Sequence, residues 1–274
     1  MQFRVLVGDI TKWPADAIVN SASTTLLDVS QQDHALFKAA GLYLGGACRA
    51  LRGCPEGEAK VTRGFKLPAK YIIHAVAPYW VGGKRDEEER LIKTYHHALQ
   101  AATEKGFRHV AFMSLGTEDK RFPRHIAAAA AVPILLTEGQ AFDRIDIVCV
   151  DTDMQQAYMK AAIYWWLQQL TEAPKGKIRE VIDAGSAALV LMPLQDMTPD
   201  PLVLADAVRQ MHTLLDEFAN QSDQTLVDKE RTANRIMATY DEQRVTTDSP
   251  LDAVIKAYKD SKRTGKGGTQ NGKK

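Results

Sequence analysis

Over about the first 170 residues, segments with strand-like patterning alternate with segments whose apolar positions recur at helical spacing. A chain patterned this way has to bury one face of each strand and one stripe of each helix against the other kind of element. That restricts it to a layered α/β architecture. Strands are expected at residues 2–7, 17–20, 59–65, 71–77, 109–113 and 144–150. Residues 31–52 read as mostly helical, with a break near Gly45-Gly46 because paired glycines interrupt a helix. Segment 87–105 predicts an amphipathic helix, with Leu91, Tyr95, Ala98, Leu99 and Ala102 on one stripe and Gly106 placed to end it. A further helix is expected from near Pro123, which suits a first helical turn, through an alanine-rich stretch toward Leu136. The last helix of this region carries Tyr158, Ile163, Trp165 and Leu167, with Asp153 as its expected cap.

Beyond Leu170 the strand signal is gone. Residues 171–177 (TEAPKGK) read as a linker. Helices are then expected at 178–191, 202–220, 224–240 and 250–262. Leu204, Val208, Met211, Leu215 and Phe218 fall at helical spacing, and a stripe of that kind has to be buried against the α/β region, within its own bundle or in a partner. Residues 263–274 are rich in Gly and Lys and read as a disordered basic tail. The expected organisation is an α/β region at 1–170, the linker, a helical extension at 178–262 and the tail.

Composition sets broad limits. Hydrophobic residues make up 45%, enough for a normal core, and the formal net charge of +1 gives no global field toward nucleic acid or an acidic partner. The N-terminus has no basic-then-apolar leader, and the nearest candidate for an apolar span, 126–136, is too short to cross a membrane. Three cysteines, Cys48, Cys54 and Cys149, are few and odd in number, which suits a reducing cytoplasm.

Three stretches carry more specific information. The first is Gly8-Asp9-Ile10-Thr11 followed by Asp16-Ala17-Ile18-Val19-Asn20-Ser21-Ala22. The second runs Leu67-Pro68-Ala69-Lys70-Tyr71-Ile72-Ile73-His74-Ala75-Val76-Ala77-Pro78. The third runs from Gly106-Phe107 to Phe112 and on through a loop to Phe122-Pro123. In their order and spacing they resemble the macrodomain family, which includes Appr-1''-p processing and O-acetyl-ADP-ribose deacetylase-like proteins, over about residues 1–170. The resemblance implies a mixed, mainly parallel sheet between helices, here followed by an all-α extension. It implies ADP-ribose or a related nucleotide in a cleft at the ends of the central strands, where open α/β sheets bind ligands.

What the resemblance implies for single residues follows its motifs. Asp9 stands where the family's carboxylate accepts from the adenine amine, with Ile10 as neighbouring contact; Asp9 could equally cap a turn after the first strand. Asn20, Ser21 and Ala22 begin the first ligand loop, where Ser23 replaces a second asparagine. The family's glycine run is replaced by Asp28-Val29-Ser30-Gln31-Gln32, and Asp33 stands at the position of its catalytic aspartate, with His34 where glycine is usual. Glycines there let backbone N–H groups approach a diphosphate, and Asp28 brings negative charge instead. In hydrolytic members an asparagine and an aspartate beside the distal ribose position or activate a water. That makes Asp33 and Ser23 the catalytic candidates, although Asp33 also reads as a helix N-terminal carboxylate. In the second loop Gly116 and Thr117 match, Glu118 replaces a glycine, and Lys120 replaces the aromatic against the distal ribose before Phe122 closes the loop. Lys120 and Arg121 could attract phosphate, or residues 118–121 could form a solvated charged turn. Val150 stands where many members stack an aromatic on adenine.

Other polar residues carry plainer readings. His74 sits in an apolar strand and reads as a core histidine. His96 and His97 face different ways on one helix and do not form a metal pair, and Trp165-Trp166 read as packing residues. No Walker loop, nucleophile elbow or zinc motif is present, so no cofactor or metal is expected. Three functional classes remain. They are a nucleotide binder with or without ester hydrolysis, an inactive scaffold whose residues 200–262 bind protein or a second copy, and a nucleic-acid-associated protein using the basic tail, the least favoured of the three.

Overall fold

The computed structural model describes residues 1–27, 31–194, 201–221 and 224–246. Six strands, β1 (Gln2–Val7), β2 (Ala17–Ser21), β3 (Ala59–Arg63), β4 (Tyr71–Ala75), β5 (His109–Met113) and β6 (Arg144–Cys149), form one sheet in the order β1-β6-β5-β2-β4-β3. Every pair is parallel except the antiparallel β3–β4 edge. This is the mixed, mainly parallel sheet expected from the alternating pattern.

The helices cover both faces, as a mainly parallel sheet requires. On one face α1 (Gln31–Ala40) and α2 (Tyr43–Ala50) pack with Ile18, Ile72, Ala111 and Val148. On the other, α3 (Glu87–Glu104), α4 (Arg124–Thr137) and α5 (Thr152–Glu172) pack with Val19, Ile73, Phe112 and Ile147. Neighbouring strand residues point to opposite faces, so Ile18 and Val19 enter different cores. All five stripe residues of α3 are buried, and Gly106 ends the helix region at φ +68, a conformation open to glycine without a Cβ penalty.

Three local expectations are corrected. The first helical segment divides at Gly41 (φ +84) and Leu42, while Gly45 and Gly46 lie inside α2. Asp151, and not Asp153, caps α5, because its side chain accepts from the Met154 N–H at 2.8 Å. Residues 171–177 are not an extended spacer: α5 runs on to Glu172, and a 3-10 turn at Lys175–Lys177 leads straight into the next helix.

That next part comprises α6 (Ile178–Leu191), α7 (Pro201–Ala219) and α8 (Leu226–Thr246), close to three of the expected helices. Expected helix 250–262 and tail 263–274 lie outside the described residues. The apolar stripe is covered within the chain: Met211, Leu215 and Phe218 are buried in the core that continues under α4 and α5, with Leu204 and Val208 packed against it. Trp166 lies against α6, where a Cβ on Gly185 would sit 3.1 Å from its ring. The open edge of β1 is occupied as well. The Val5 N–H donates to the Met192 carbonyl at 2.9 Å, and the Gln155 amide donates to the Val5 carbonyl at 2.9 Å. Edge strands with unpaired backbone groups invite association, and α5 and the end of α6 close this one. Among the described residues, no helix is long and apolar enough to cross a membrane.

Candidate functional site

Because β1, β6, β5 and β2 are adjacent and parallel, their carboxyl ends line up along one rim of the sheet. Strands lie about 4.8 Å apart, so the rim from β1 to β2 spans about 14 Å. Asp9 follows β1, Val150 follows β6, Gly116 and Thr117 follow β5, and Asn20 and Ser21 end β2 with Ala22 directly after it. The sheet order thus brings together residues taken from across the sequence.

At the β1 end, Asp9 caps the 3-10 turn Ile10–Lys12. Its Oδ1 accepts from the Thr11 N–H at 3.0 Å and from the Thr11 hydroxyl at 2.7 Å. The Thr11 hydroxyl, with the backbone N–H and Lys12, holds the Asp9 carboxyl below its ordinary value. Its Oδ2 pairs with the Lys12 ammonium at 3.2 Å, and because the side chain is 47% exposed and Lys12 82% exposed, a donor from solvent can still reach it while it caps the turn. Ile10 is half-buried beside it, and Val150 is 54% exposed.

At the β2 end, the Asn20 side-chain amide donates to Asp33 Oδ1 at 3.2 Å. Both residues are buried, 3% and 2% exposed, although Asp33 belongs to the first turn of α1. An ionisable carboxylate buried in this way needs hydrogen-bond donors, and Asn20 supplies one. The helix-terminus reading of Asp33 and its pairing with the strand end therefore coexist. Ser23 is half-buried, and its hydroxyl shares a 2.9 Å hydrogen bond with that of Thr25. Asp28, Val29 and Ser30 lie outside the described residues.

The two loops are tied to each other and braced from below. The Gly116 N–H donates to Ser21 Oγ at 3.3 Å, and the Ser21 N–H contacts Met113 Sδ at 3.0 Å. Beneath them Tyr95 and Tyr158 share a 3.0 Å hydroxyl contact. Tyr158 also meets Ser114 Oγ at 2.9 Å, and the Leu115 N–H donates to Tyr95 Oη at 3.1 Å. This buried hydroxyl chain fixes the backbone that leads into Gly116. Sequence reasoning counted Tyr95 and Tyr158 only as apolar positions, because their spacing marks burial and says nothing of where the hydroxyls point.

The second loop follows the charged-turn expectation at every charged residue but Lys120. Gly116 turns the chain at φ +83, where a Cβ would meet the Phe122 ring at 3.0 Å. Phe122 is buried, packs against Trp80 with ring centroids 5.1 Å apart and the planes tilted by 52°, and its N–H returns to the Gly116 carbonyl at 2.9 Å; it braces the loop from behind. Thr117 Oγ1 donates to the Ser114 carbonyl. Glu118, Asp119 and Arg121 are exposed, as a charged turn predicts. Lys120 is the correction: it is 7% exposed, with Nζ 3.9 Å from the centroid of the Tyr79 ring. A desolvated ammonium over an aromatic face is held there by the ring quadrupole, so Lys120 stabilises the loop and does not reach out as a phosphate hook.

At the β6 end the Asp151 carboxylate receives both guanidinium nitrogens of Arg124 at 2.8 Å, clamping the start of α4 to the cap of α5. Paired like this, Arg124 and Asp151 border the rim beside Val150; the Asp-Thr-Asp run marked a helix start without indicating which aspartate faces the arginine. His74 is buried, with Nε2 2.9 Å from Thr62 Oγ1, and burial lowers its pKa to about 4. Cys149 is buried and its thiol is pushed up to about 12 by desolvation, so it offers no thiolate at neutral pH. His96 faces Glu138 while His97 faces the Gly57 carbonyl, and no cluster of three metal-ligating side chains occurs among the described residues.

A family model described as Macro domain matches residues 19–131. A macro domain-containing protein of Lactiplantibacillus plantarum is 43% identical over 165 residues, covering 59% of this chain and 96% of that protein. A protein of Pantoea vagans named O-acetyl-ADP-ribose deacetylase 1 is 33% identical over 163 residues, covering 57% of this chain and 95% of that one. Among solved structures, the Oceanobacillus iheyensis macrodomain with ADP superimposes with a TM-score of 0.55 at 32% identity, covering 58% of this chain and 88% of that chain.

Proposed function

The chain belongs to the macro domain family, and on that premise we propose that its strand-end rim binds ADP-ribose or a closely related nucleotide. The observation that carries the reading is the buried Asn20–Asp33 pair at the carboxyl end of β2, three strands across the rim from the exposed Asp9 carboxylate. An adenine amine on Asp9 and a second sugar beside Asn20 and Asp33 would be joined by the diphosphate of a ligand of the ADP-ribose class. Such a ligand matches a rim of about 14 Å. Ile10 and Val150 offer apolar surface to the base, and the Gly116–Thr117 turn and the Ser21–Ala22 backbone lie between, where the phosphates would pass. The ADP-bound Oceanobacillus iheyensis structure supports the nucleotide class.

Hydrolysis of an acetyl or ADP-ribosyl ester is the finer reading. Asp33 would accept a proton from, or orient, a water beside the distal sugar, and Asn20 would hold the carboxylate in place. The name of the Pantoea vagans relative supports it. Two observations favour binding without turnover: Ser23, in place of a second amide, is tied to Thr25, and Lys120 is turned onto Tyr79.

Calorimetric titration of the full chain with ADP-ribose tests the binding. Saturable binding is expected, weakened about tenfold or more in Asp9→Ala, since a hydrogen bond to a charged group contributes about 1.5–3 kcal/mol. No heat and no thermal stabilisation at millimolar ligand would retire the reading. Turnover of O-acetyl-ADP-ribose that is equal in wild type and Asp33→Ala would leave a binding protein only.

A further inference from the structure

A groove of about 520 Å³ runs along the seam between α4 and α5 and is bordered on one side by the start of α8. It shares no residue with the strand-end rim, and its lining comes from both the α/β layers and the C-terminal helices. Ala129, Ala157 and Ala161 make the floor, and their small side chains leave the seam unfilled. Pro133 adds to the floor. It lies inside α4, where it has no N–H to give to the preceding turn. Tyr164 and Trp165 form aromatic walls, and Leu226, 72% exposed, stands at the mouth.

The charged side chains that line this apolar floor are basic, with the Glu230 carboxylate outside the lining but near enough to act on Tyr164. Lys160, Lys229 and His125 line the groove, and no aspartate or glutamate does. The Lys229 ammonium, half-buried, donates to the amide oxygen of Gln168, a neutral partner. Lys160 reaches Glu230 only at 3.9 Å and lies 5.9 Å from the Tyr164 ring. An apolar occupant would remove water from both ammonium groups, and that desolvation is unfavourable unless the occupant brings a negative group to them. The volume falls within the range of about 300–1,000 Å³ typical of small-molecule sites.

We propose that the α4–α5–α8 groove binds a small amphipathic organic anion, with a flat apolar body on the alanine floor between Tyr164 and Trp165 and its negative group on Lys160 and Lys229. The site is independent of nucleotide binding at the rim, and either can fail without the other.

The probe is the anionic aromatic dye anilinonaphthalene sulfonate, added to the full chain and followed by its fluorescence and by energy transfer from tryptophan. The expected result is one saturable site, lost in Ala161→Phe, whose ring fills the floor. In the Lys160→Gln, Lys229→Gln double variant the dye should bind about tenfold more weakly or worse, because charge-assisted contacts are removed. Uncharged phenylnaphthylamine should bind both chains alike. These lysines lie at the groove rim, and circular dichroism checks that each variant is folded. The proposal is overturned by any of four results: no saturable dye binding, dye affinity equal in the lysine variant, dye binding that survives in folded Ala161→Phe, or a wild-type dimer that Ala161→Phe dissociates. The last result would assign the groove to a second copy of the chain.

Discussion

At the scale of single residues, the buried groups split into those with neutral partners and those with charged ones. His74 has a neutral partner in the Thr62 hydroxyl and no charged one among the described residues, so burial decides its titration and lowers its pKa to about 4, against about 6.5 for a free imidazole. The unfolded chain therefore binds a proton at a pH where the native chain does not, and native stability falls as pH drops from about 6.5 toward 4. Urea midpoints at pH 7.5 and pH 4.5 should differ less in His74→Gln than in wild type, although the variant is less stable at the higher pH. An equal pH dependence in the two would mean that His74 stays accessible to protons. The core role of His74 was readable from its apolar neighbours in sequence. The fate of Lys120 was not, because the ring that captures it, Tyr79, lies in a different loop that only the folded chain brings within 3.9 Å.

At the scale of elements, one carboxylate organises the whole segment that carries Tyr79 and Trp80. Glu87, the first residue of α3, is buried and accepts from the N–H groups of Val81, Gly83 and Arg85 at 3.0, 3.2 and 2.7 Å. Burial alone would raise its pKa, but the backbone donors outweigh burial and hold it at about 2. A depressed carboxylate stabilises the fold above its unfolded value near 4.3, and that contribution is lost as pH falls toward 2. In Glu87→Gln the amide N–H groups oppose those same donors. Chymotrypsin at neutral pH should then cut at Tyr79 or Trp80 several times faster than in wild type; equal rates would show that Lys120 and Phe122 hold the segment without Glu87. Strands and helices were legible element by element, since β-branched runs and helical stripes are local signals. Caps and breaks were less so. Gly45-Gly46 stayed helical within α2, while Gly41 took the left-handed turn that separates α1 from α2.

At the scale of the whole molecule, α6, α7 and α8 complete the α/β layers and do not hang from them. Leu189, Met211, Leu215 and Phe218 share one core with Ile163 and Leu167, Tyr240 donates its buried hydroxyl to the Leu189 carbonyl at 3.0 Å, and Met192 closes the β1 edge. A chain ending at Glu172 should expose that core surface and the Val5 N–H, elute as multimers or aggregate, and melt at least about 10 °C lower, as the loss of several buried side chains of about 2 kcal/mol each requires. A monomeric truncated chain with an unchanged melting temperature would make the helices a separate unit. The amino-acid sequence by itself determined the alternation of elements, the layered sheet, the family resemblance and the residues that end each central strand, because all of these are local periods and ordered motifs. Only the tertiary structure decided that Asn20 meets Asp33, that Lys120 turns inward and that the C-terminal stripe is covered by the chain's own α/β core, because each depends on contacts between segments that no local pattern records.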